Sequence, residues 1–236
     1  MTNDTEVTPA NSSAQELIDR LMESLKNFHN NTGRDENTQK NGKMFEEHVK
    51  TALLSFGYTN VSNFRKTLYK DMVDEIGDCC ETTLIIPNDT RMHPRKLLFQ
   101  QPYGSQKPPD FLLVDVRQDT IHFQPVEVKT GKKAATWNNN YPKNNWVYIF
   151  YGYKGVTYFL GENLINEQLK KLFEEYKSKR KELANQFNSL LKEMKESWMV
   201  VDYFKFEHRG CVDYKAHEKC CERENDVVNA FSTLSF

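Results

Sequence analysis

Residues 109–129 read PDFLLVDVRQDTIHFQPVEVK, and this stretch decides the fold. Two apolar runs rich in β-branched and aromatic residues flank a short polar turn, which predicts strands over Phe111–Asp115 and Ile121–Lys129. Strands joined by so short a turn are expected to be antiparallel neighbours. The start of the first strand then lies beside the end of the second, which brings Asp110 next to Glu127.

Short strand-like segments and helical segments alternate around this pair. Strands are predicted at Thr82–Ile86, Leu97–Gln101, Trp146–Tyr151 and Val156–Leu160, the last two joined as a hairpin at Lys154-Gly155. Apolar residues at helical spacing predict a helix from Ser13, a second after Gly42 that stops at Gly57, and a long third over Asn163–Trp198. This mixture of strands and helices places the chain in the α/β class.

The remaining segments are predicted to be less regular. Residues 1–12 are interpreted as a loose tail and Asn30–Asn41 as a linker, while a strand at Met199–Phe206 precedes a polar C-terminal segment. The apolar positions of the long helix recur regularly enough to form one seam. We expect that seam to pack either on the sheet or on a partner subunit.

Composition excludes several classes of protein. The chain has 236 residues with 38% hydrophobic and 28% charged residues, and its 15 Phe, 11 Tyr and 3 Trp argue against a wholly disordered chain. No run approaches the roughly 18 to 20 apolar residues of a membrane span. Five cysteines form no evident disulfide framework and are interpreted as reduced thiols. We therefore expect a soluble, cytoplasmic protein without a membrane partner.

The net charge of −1 argues against indiscriminate polyanion binding, but the charges are unevenly spread. Residues 1–36 carry three basic and seven acidic side chains, whereas residues 88–145 carry nine basic and five acidic. A local basic surface on a nearly neutral protein is compatible with specific binding to nucleic acid.

Asp110, Glu127 and Lys129 carry the most informative chemistry. Residues two apart on a strand point to one face, so Glu127 and Lys129 project together and Asp110 meets them from the neighbouring strand. Two carboxylates suit Mg²⁺, which also accepts phosphate oxygens, and a lysine beside them can orient a water that attacks phosphorus. The alternative interpretation is a surface salt bridge on a hairpin, with Asp110 capping the strand and Lys129 exposed.

With these residues the sequence resembles the PD-(D/E)xK nuclease superfamily, and type II restriction endonucleases in particular. The matching segments are Gly42-Lys43-Met44-Phe45-Glu46, Pro109-Asp110 and Glu127-Val128-Lys129, with supporting likeness in 101–106 and 137–150. The resemblance implies a restriction-endonuclease-like core with a mixed central sheet flanked by helices. It also implies that Asp110 and Glu127 bind the metal, that Lys129 activates water, and that Glu46 is an accessory catalytic acid. Glu47, its neighbour, is the alternative, because only one of the two can face the site.

The resemblance divides the chain into three parts. Residues 1–41 would be an N-terminal tail, helix and linker, residues 42–162 the nuclease core, and residues 163–236 a long helix with a C-terminal strand and polar segment.

Polar loops near the site are predicted to contact double-stranded DNA. The candidates share amide, hydroxyl or ammonium groups suited to phosphates or base edges, and they are Gln101, Ser105, Gln106, Lys107, Lys132, Lys133, Asn138, Asn139, Asn140 and Lys143. The asparagines can equally be simple turn residues. A restriction enzyme would act as a homodimer on a palindromic site, and its system would include a cognate DNA methyltransferase.

The C-terminal segment contains a second candidate metal site. His208, Cys211, His217 and Cys220 have zinc-like residue types, but the gap between the two pairs is shorter than usual, so structural Zn²⁺ is not favoured over a surface segment. Two other functions stay open. One is a structure-specific nuclease of the resolvase or repair type, and the other is a non-catalytic DNA-binding or protein-interaction module.

Overall fold

Strand formation in this chain follows the apolar runs of the sequence. In a computed structural model, the described residues are 9–32, 38–62, 69–71, 83–85, 95–105, 107–117, 120–131, 135–138, 142–152, 155–198, 211–214 and 221–232. The strands are β1 Thr59–Asn60, β2 Thr83–Ile85, β3 Arg95–Gln100, β4 Phe111–Val116, β5 Thr120–Thr130, β6 Ala135–Asn138, β7 Val147–Gly152, β8 Gly155–Leu160 and β9 Cys211–Tyr214. The α-helices are α1 Pro9–Thr32, α2 Thr38–Ser55, α3 Glu167–Trp198 and α4 Cys221–Ser232, and a 3₁₀ turn covers Gly161–Asn163.

The strands form a mixed open sheet, as expected for the α/β class. Its main path runs β1-β3-β4-β5-β7-β8, and β2 pairs with the first part of β5. The pairs β1/β3 and β5/β7 are parallel, while β3/β4, β4/β5 and β7/β8 are antiparallel. The predicted antiparallel neighbours β4 and β5 and the predicted hairpin β7/β8 are therefore confirmed. A separate two-stranded sheet joins β6 to β9.

Helices cover one face of the main sheet. Apolar side chains of α1, α2 and α4 pack there on alternate positions of β4, β5 and β7, and the shared cluster includes Phe45, Phe111, Val126 and Ile149. The other face carries two smaller apolar clusters, one around Phe99, Leu112 and Val114 and one around Trp137, Tyr148 and Phe159. The start of β4 and the end of β5, which are paired with each other, lie between these two clusters.

Several element boundaries differ from the sequence prediction. Residues 9–12 belong to α1 and not to a tail, because proline fits the first turn of a helix. Most of the predicted linker Asn30–Asn41 is likewise helical: α1 ends at Thr32 and α2 begins at Thr38, four residues before Gly42. Contact between the two helices, with the rings of Phe28 and Phe45 5.7 Å apart, favours helix over turn despite the polar residues.

The stop of α2 was predicted correctly. Gly57 follows the helix with φ +86°, a left-handed conformation that favours glycine. The long helix α3 starts at Glu167 and not at Asn163, since the 3₁₀ turn intervenes and the Asn166 side chain caps the helix by accepting the Leu169 N–H at 2.9 Å.

The apolar seam of α3 is largely exposed within the described part of the chain. Ile165, just before α3, is buried, but the leucine, tyrosine and phenylalanine side chains along the helix remain 43–62% exposed: Leu169, Leu172, Tyr176, Leu183, Phe187 and Leu190. Packing of these side chains on the sheet, one of the two predicted alternatives, is therefore not observed. The predicted strand Met199–Phe206 lies outside the described residues. No helix among the described residues is long and apolar enough to cross a membrane.

Candidate active site

The pairing of β4 with β5 brings the predicted site residues together. Phe111 lies opposite Val126, and continuing this register by one residue sets Asp110 against Glu127. Val126 and Phe111 face the helical layer, so Asp110, Glu127 and Lys129 project to the opposite face. The sequence-predicted arrangement of these three residues is present.

Hydrogen bonds fix both carboxylates. Glu127 Oε2 accepts the backbone N–H of Asp110 at 3.0 Å, and Asp110 Oδ2 accepts the backbone N–H of Val128 at 2.8 Å. Each acid thus bonds to the backbone of the other strand, which holds the two side chains across the strand pair. Asp110 Oδ1 accepts no hydrogen bond from the described residues.

Burial and charge change the acidity of Asp110. Burial raises the pKa of Asp110 from 3.8 to about 7, and the nearby charges of Glu127 and Glu46 act in the same direction. The Val128 N–H and the Lys129 ammonium oppose the rise. A carboxyl group whose pKa is raised by burial and by a second carboxylate is common at functional sites. Clustered carboxylates are tolerated there because a cation or a proton offsets their repulsion.

Lys129 is held against Glu127 above a buried aromatic pair. Its Nζ donates to Glu127 Oε1 at 2.6 Å and lies 5.8 Å from the centroid of the Trp137 ring. Trp137 packs edge-on against Tyr148 with centroids 5.4 Å apart. The lysine side chain is only 21% exposed and that of Glu127 8% exposed, so this ion pair is shielded from solvent. The salt bridge of the alternative interpretation is therefore present, but its lysine is partly buried and not fully exposed.

The structure distinguishes Glu46 from Glu47. Glu46 is half-buried and accepts a hydrogen bond from Gln101 Nε2 at 3.2 Å, and its charge contributes to the raised pKa of Asp110. The side chain of Glu47 is 61% exposed and pairs with Lys50. Glu46 is therefore the glutamate of α2 that faces the site.

Two acids at this site fit Mg²⁺. Among the described residues, no three His, Cys, Asp or Glu side chains form a group able to hold a metal by themselves. Glu46 is thus close enough to influence Asp110 without completing a three-acid cluster. Mg²⁺ commonly binds through one or two carboxylates and takes its other ligands from water and phosphate. Asp110 and Glu127 provide two carboxylates of this kind.

The predicted DNA-contact residues fall in different surroundings. Ser105 and Lys107 are exposed on the loop between β3 and β4, whereas Gln101 is half-buried. Lys143 is half-buried, and its backbone N–H donates to Tyr148 Oη at 2.9 Å, beneath the site. Gln106, Lys132, Lys133, Asn139 and Asn140 lie outside the described residues.

Asn138 is not in the predicted loop. It ends strand β6, where its backbone pairs with Cys211 of β9. The C-terminal zinc candidates cannot be placed as a group, because His208, His217 and Cys220 lie outside the described residues and only the backbone of Cys211 is described.

Two contributions to the site were missed from the sequence. Trp137 was noted only as part of the resemblance, and Gln101 only as a possible DNA contact. Trp137 contacts the ammonium group of Lys129, and Gln101 donates a hydrogen bond to Glu46, which lies far away in the sequence. The sequence signal for Gln101 is that two polar residues, Gln100 and Gln101, end an apolar strand. Polar side chains are uncommon so close to a hydrophobic core, and this position indicates a specific hydrogen-bonding role.

Comparison of the chain with protein-family models, with curated proteins and with solved structures gives no match. The resemblance to PD-(D/E)xK nucleases therefore stays a prediction, carried by the residues and geometry described above.

Proposed function

We propose that the chain is a Mg²⁺-dependent endonuclease that hydrolyses phosphodiester bonds of double-stranded DNA at a specific sequence, as type II restriction enzymes do. The observation that carries the proposal is the convergence of Asp110, Glu127 and Lys129 on one face at the ends of two paired strands. A surface salt bridge alone would not account for a half-buried Asp110 whose pKa is raised by its own burial and by the charge of the buried Glu127 beside it.

The reaction would use these side chains in distinct ways. Asp110 and Glu127 would hold Mg²⁺, which when bound supplies a Lewis acid that lowers the pKa of water and offsets phosphate charge. Lys129 donates a hydrogen bond to the attacking water and stabilises the negative charge that grows on its oxygen. Glu127 keeps the lysine in place through the 2.6 Å contact. Attack would form a P–O bond to the water oxygen, which gives up its proton to solvent, and would break the bond to one ester oxygen, which leaves with a proton from solvent.

The active form would be a homodimer, because a palindromic DNA site matches two-fold protein symmetry. DNA contacts would come from the loop of Ser105 and Lys107 and from the segment that includes Lys132, Lys133 and Lys143. We place the activity in the cytoplasm, together with a cognate methyltransferase that protects host DNA.

Plasmid digestion tests the proposal. Purified protein with Mg²⁺ should cut a sequenced plasmid into discrete fragments, and Lys129→Ala should lower the rate by about 100-fold or more, as expected for a donor that stabilises charge developing in the transition state. Lys171→Ala, on the exposed surface of α3, is the control and should cut like wild type.

Three outcomes would contradict the proposal. Full activity in Lys129→Ala would remove the mechanism. Cutting only of branched or nicked DNA, without a fixed fragment pattern, would indicate a structure-specific nuclease. If calorimetry detects no divalent-metal binding by either wild type or Asp110→Asn, the result would indicate a non-catalytic module.

A further inference from the structure

Gln101 joins two parts of the candidate site through its backbone and its side chain. It follows β3 directly, and its backbone N–H donates to the carbonyl oxygen of Asp110 at 2.7 Å. This bond closes the loop 101–110, so the loop begins at Gln101 and ends at the acid proposed to bind the metal. The position of Gln101 is thereby tied to that of Asp110.

The side chain of Gln101 extends toward helix α2. Its Nε2 donates to Glu46 Oε1 at 3.2 Å. The preceding residue repeats the contact one position along, since Gln100 Nε2 donates to Glu47 Oε1 at 3.2 Å. Two successive glutamines therefore hold two successive glutamates, of which Glu46 is half-buried and Glu47 is exposed.

Glu46 needs such a restraint. It comes from the helical layer, whereas Asp110 and Glu127 project to the other face of the sheet, yet its charge helps to raise the pKa of Asp110. Its carboxylate is repelled by Asp110, and a glutamate loses rotamer freedom when it is held in place. A hydrogen bond from an amide to a carboxylate opposes both effects.

The backbone of Gln101 gives independent support. Its φ of +46° lies in the left-handed region, which is unfavourable for a residue with a long side chain. Glycine or asparagine would adopt this conformation more easily. A strained glutamine at the start of a site loop suggests that its amide group has a role there.

We propose that Gln101 is a positioning residue that holds the Glu46 carboxylate near Asp110, where its negative charge strengthens the attraction for a divalent cation bound by Asp110 and Glu127 without Glu46 coordinating the ion. This inference rests on the proposed function. It replaces the predicted DNA contact of Gln101 with a role inside the protein, and Gln100 provides a matched control because it makes the same bond to the exposed glutamate.

Calorimetric titration of the full-length protein with Mg²⁺ tests the inference without requiring cleavage. Gln101→Met keeps the length of the side chain but removes the donor, and we expect Mg²⁺ to bind about three- to tenfold more weakly. Glu46→Gln should weaken binding similarly, and the double variant should be no weaker than Glu46→Gln alone, because both changes remove one interaction. Gln100→Met should bind Mg²⁺ like wild type, and thermal unfolding in EDTA should show that all variants are folded.

Binding of short duplex DNA in EDTA provides the second measurement, and Gln101→Met should leave it unchanged. Weaker DNA binding with unchanged Mg²⁺ affinity would overturn the inference and restore the DNA contact. Equal Mg²⁺ affinity in wild type and Gln101→Met, or additive effects in the double variant, would overturn the inference while leaving the proposed function intact. Absence of Mg²⁺ binding by wild type would overturn both.

Discussion

Asp110 is the side chain whose ionisation should show in the stability of the protein. Its folded-state pKa of about 7 lies above its ordinary value of 3.8, so between these values the folded state binds more protons than the unfolded state. The contribution of Asp110 to stability is then fully present at acidic pH and is lost as the pH rises through about 7. Metal binding needs the ionised carboxylate, so Mg²⁺ affinity should change in the opposite direction and rise with pH.

We expect Asp110→Asn to remove this pH dependence. At about pH 8 the metal-free variant should be about 1 to 3 kcal/mol more stable than wild type, because it avoids a buried charge beside Glu127, and the difference should be fully lost only below about pH 4. The asparagine oxygen can still accept the Val128 N–H. Urea unfolding in EDTA across this pH range measures the difference. Stability curves that run parallel for the two proteins would contradict the assignment.

Trp137 should influence cleavage through Lys129. The lysine ammonium lies 5.8 Å from the ring centroid, within the range of a cation–π interaction worth about 0.5 to 2 kcal/mol. We expect Trp137→Leu to slow plasmid cleavage about 3- to 30-fold at saturating Mg²⁺, and Trp137→Phe, which retains a ring, to lose less. Circular dichroism should confirm folding of both variants. Equal rates for the leucine and phenylalanine variants would exclude a role for the ring.

At the scale of elements, local patterns explain why the central strands were predictable. β4 and β5 are long apolar runs joined by a short turn, and this local information sets their pairing and the proximity of Asp110 to Glu127. β6 was missed because it has four residues and pairs with β9, more than 70 residues later, so nothing nearby in the sequence specifies it. The start of α2 was missed for a related reason, since contact with α1 outweighs its polar composition.

The 3₁₀ turn after β8 provides a test of close packing near the site. A Cβ added to Gly161 would lie 1.9 Å from the Lys143 carbonyl oxygen, and the Lys143 N–H bonds to Tyr148 beneath Lys129. We expect Gly161→Ala to destabilise the protein by at least about 2 kcal/mol, because backbone must move. Gly57→Ala, which meets open space but has positive φ, should cost about 1 to 2 kcal/mol. Chemical denaturation measures both, and equal or reversed costs would contradict this packing.

At the scale of the whole molecule, the segment 42–162 that resembles a nuclease core shares its largest apolar cluster with helices outside the segment. Helix α1 contributes buried side chains on one side of α2, and α4 contributes others against β8 and α1. The candidate site depends on this packing, because Phe45 of the shared cluster directly precedes Glu46 and is fully buried. The terminal helices thus help to fix the position of Glu46 at the candidate site.

We therefore expect a fragment of residues 42–162 not to fold. It would lose eight buried apolar side chains of the two terminal helices, namely Ile18, Leu21, Met22, Leu25 and Phe28 of α1 and Val227, Val228 and Phe231 of α4. At about 1.5 to 3 kcal/mol for each buried side chain, the loss is about 12 to 24 kcal/mol, which is comparable to or larger than the total stability of a typical domain, about 5 to 15 kcal/mol. Near-ultraviolet circular dichroism and amide hydrogen exchange should show no fixed tertiary structure in the fragment, while the full-length chain provides the control. A cooperative unfolding transition in the fragment would mean that the site residues are held by the sheet and α2 alone, and that the terminal helices are additions to an independent core.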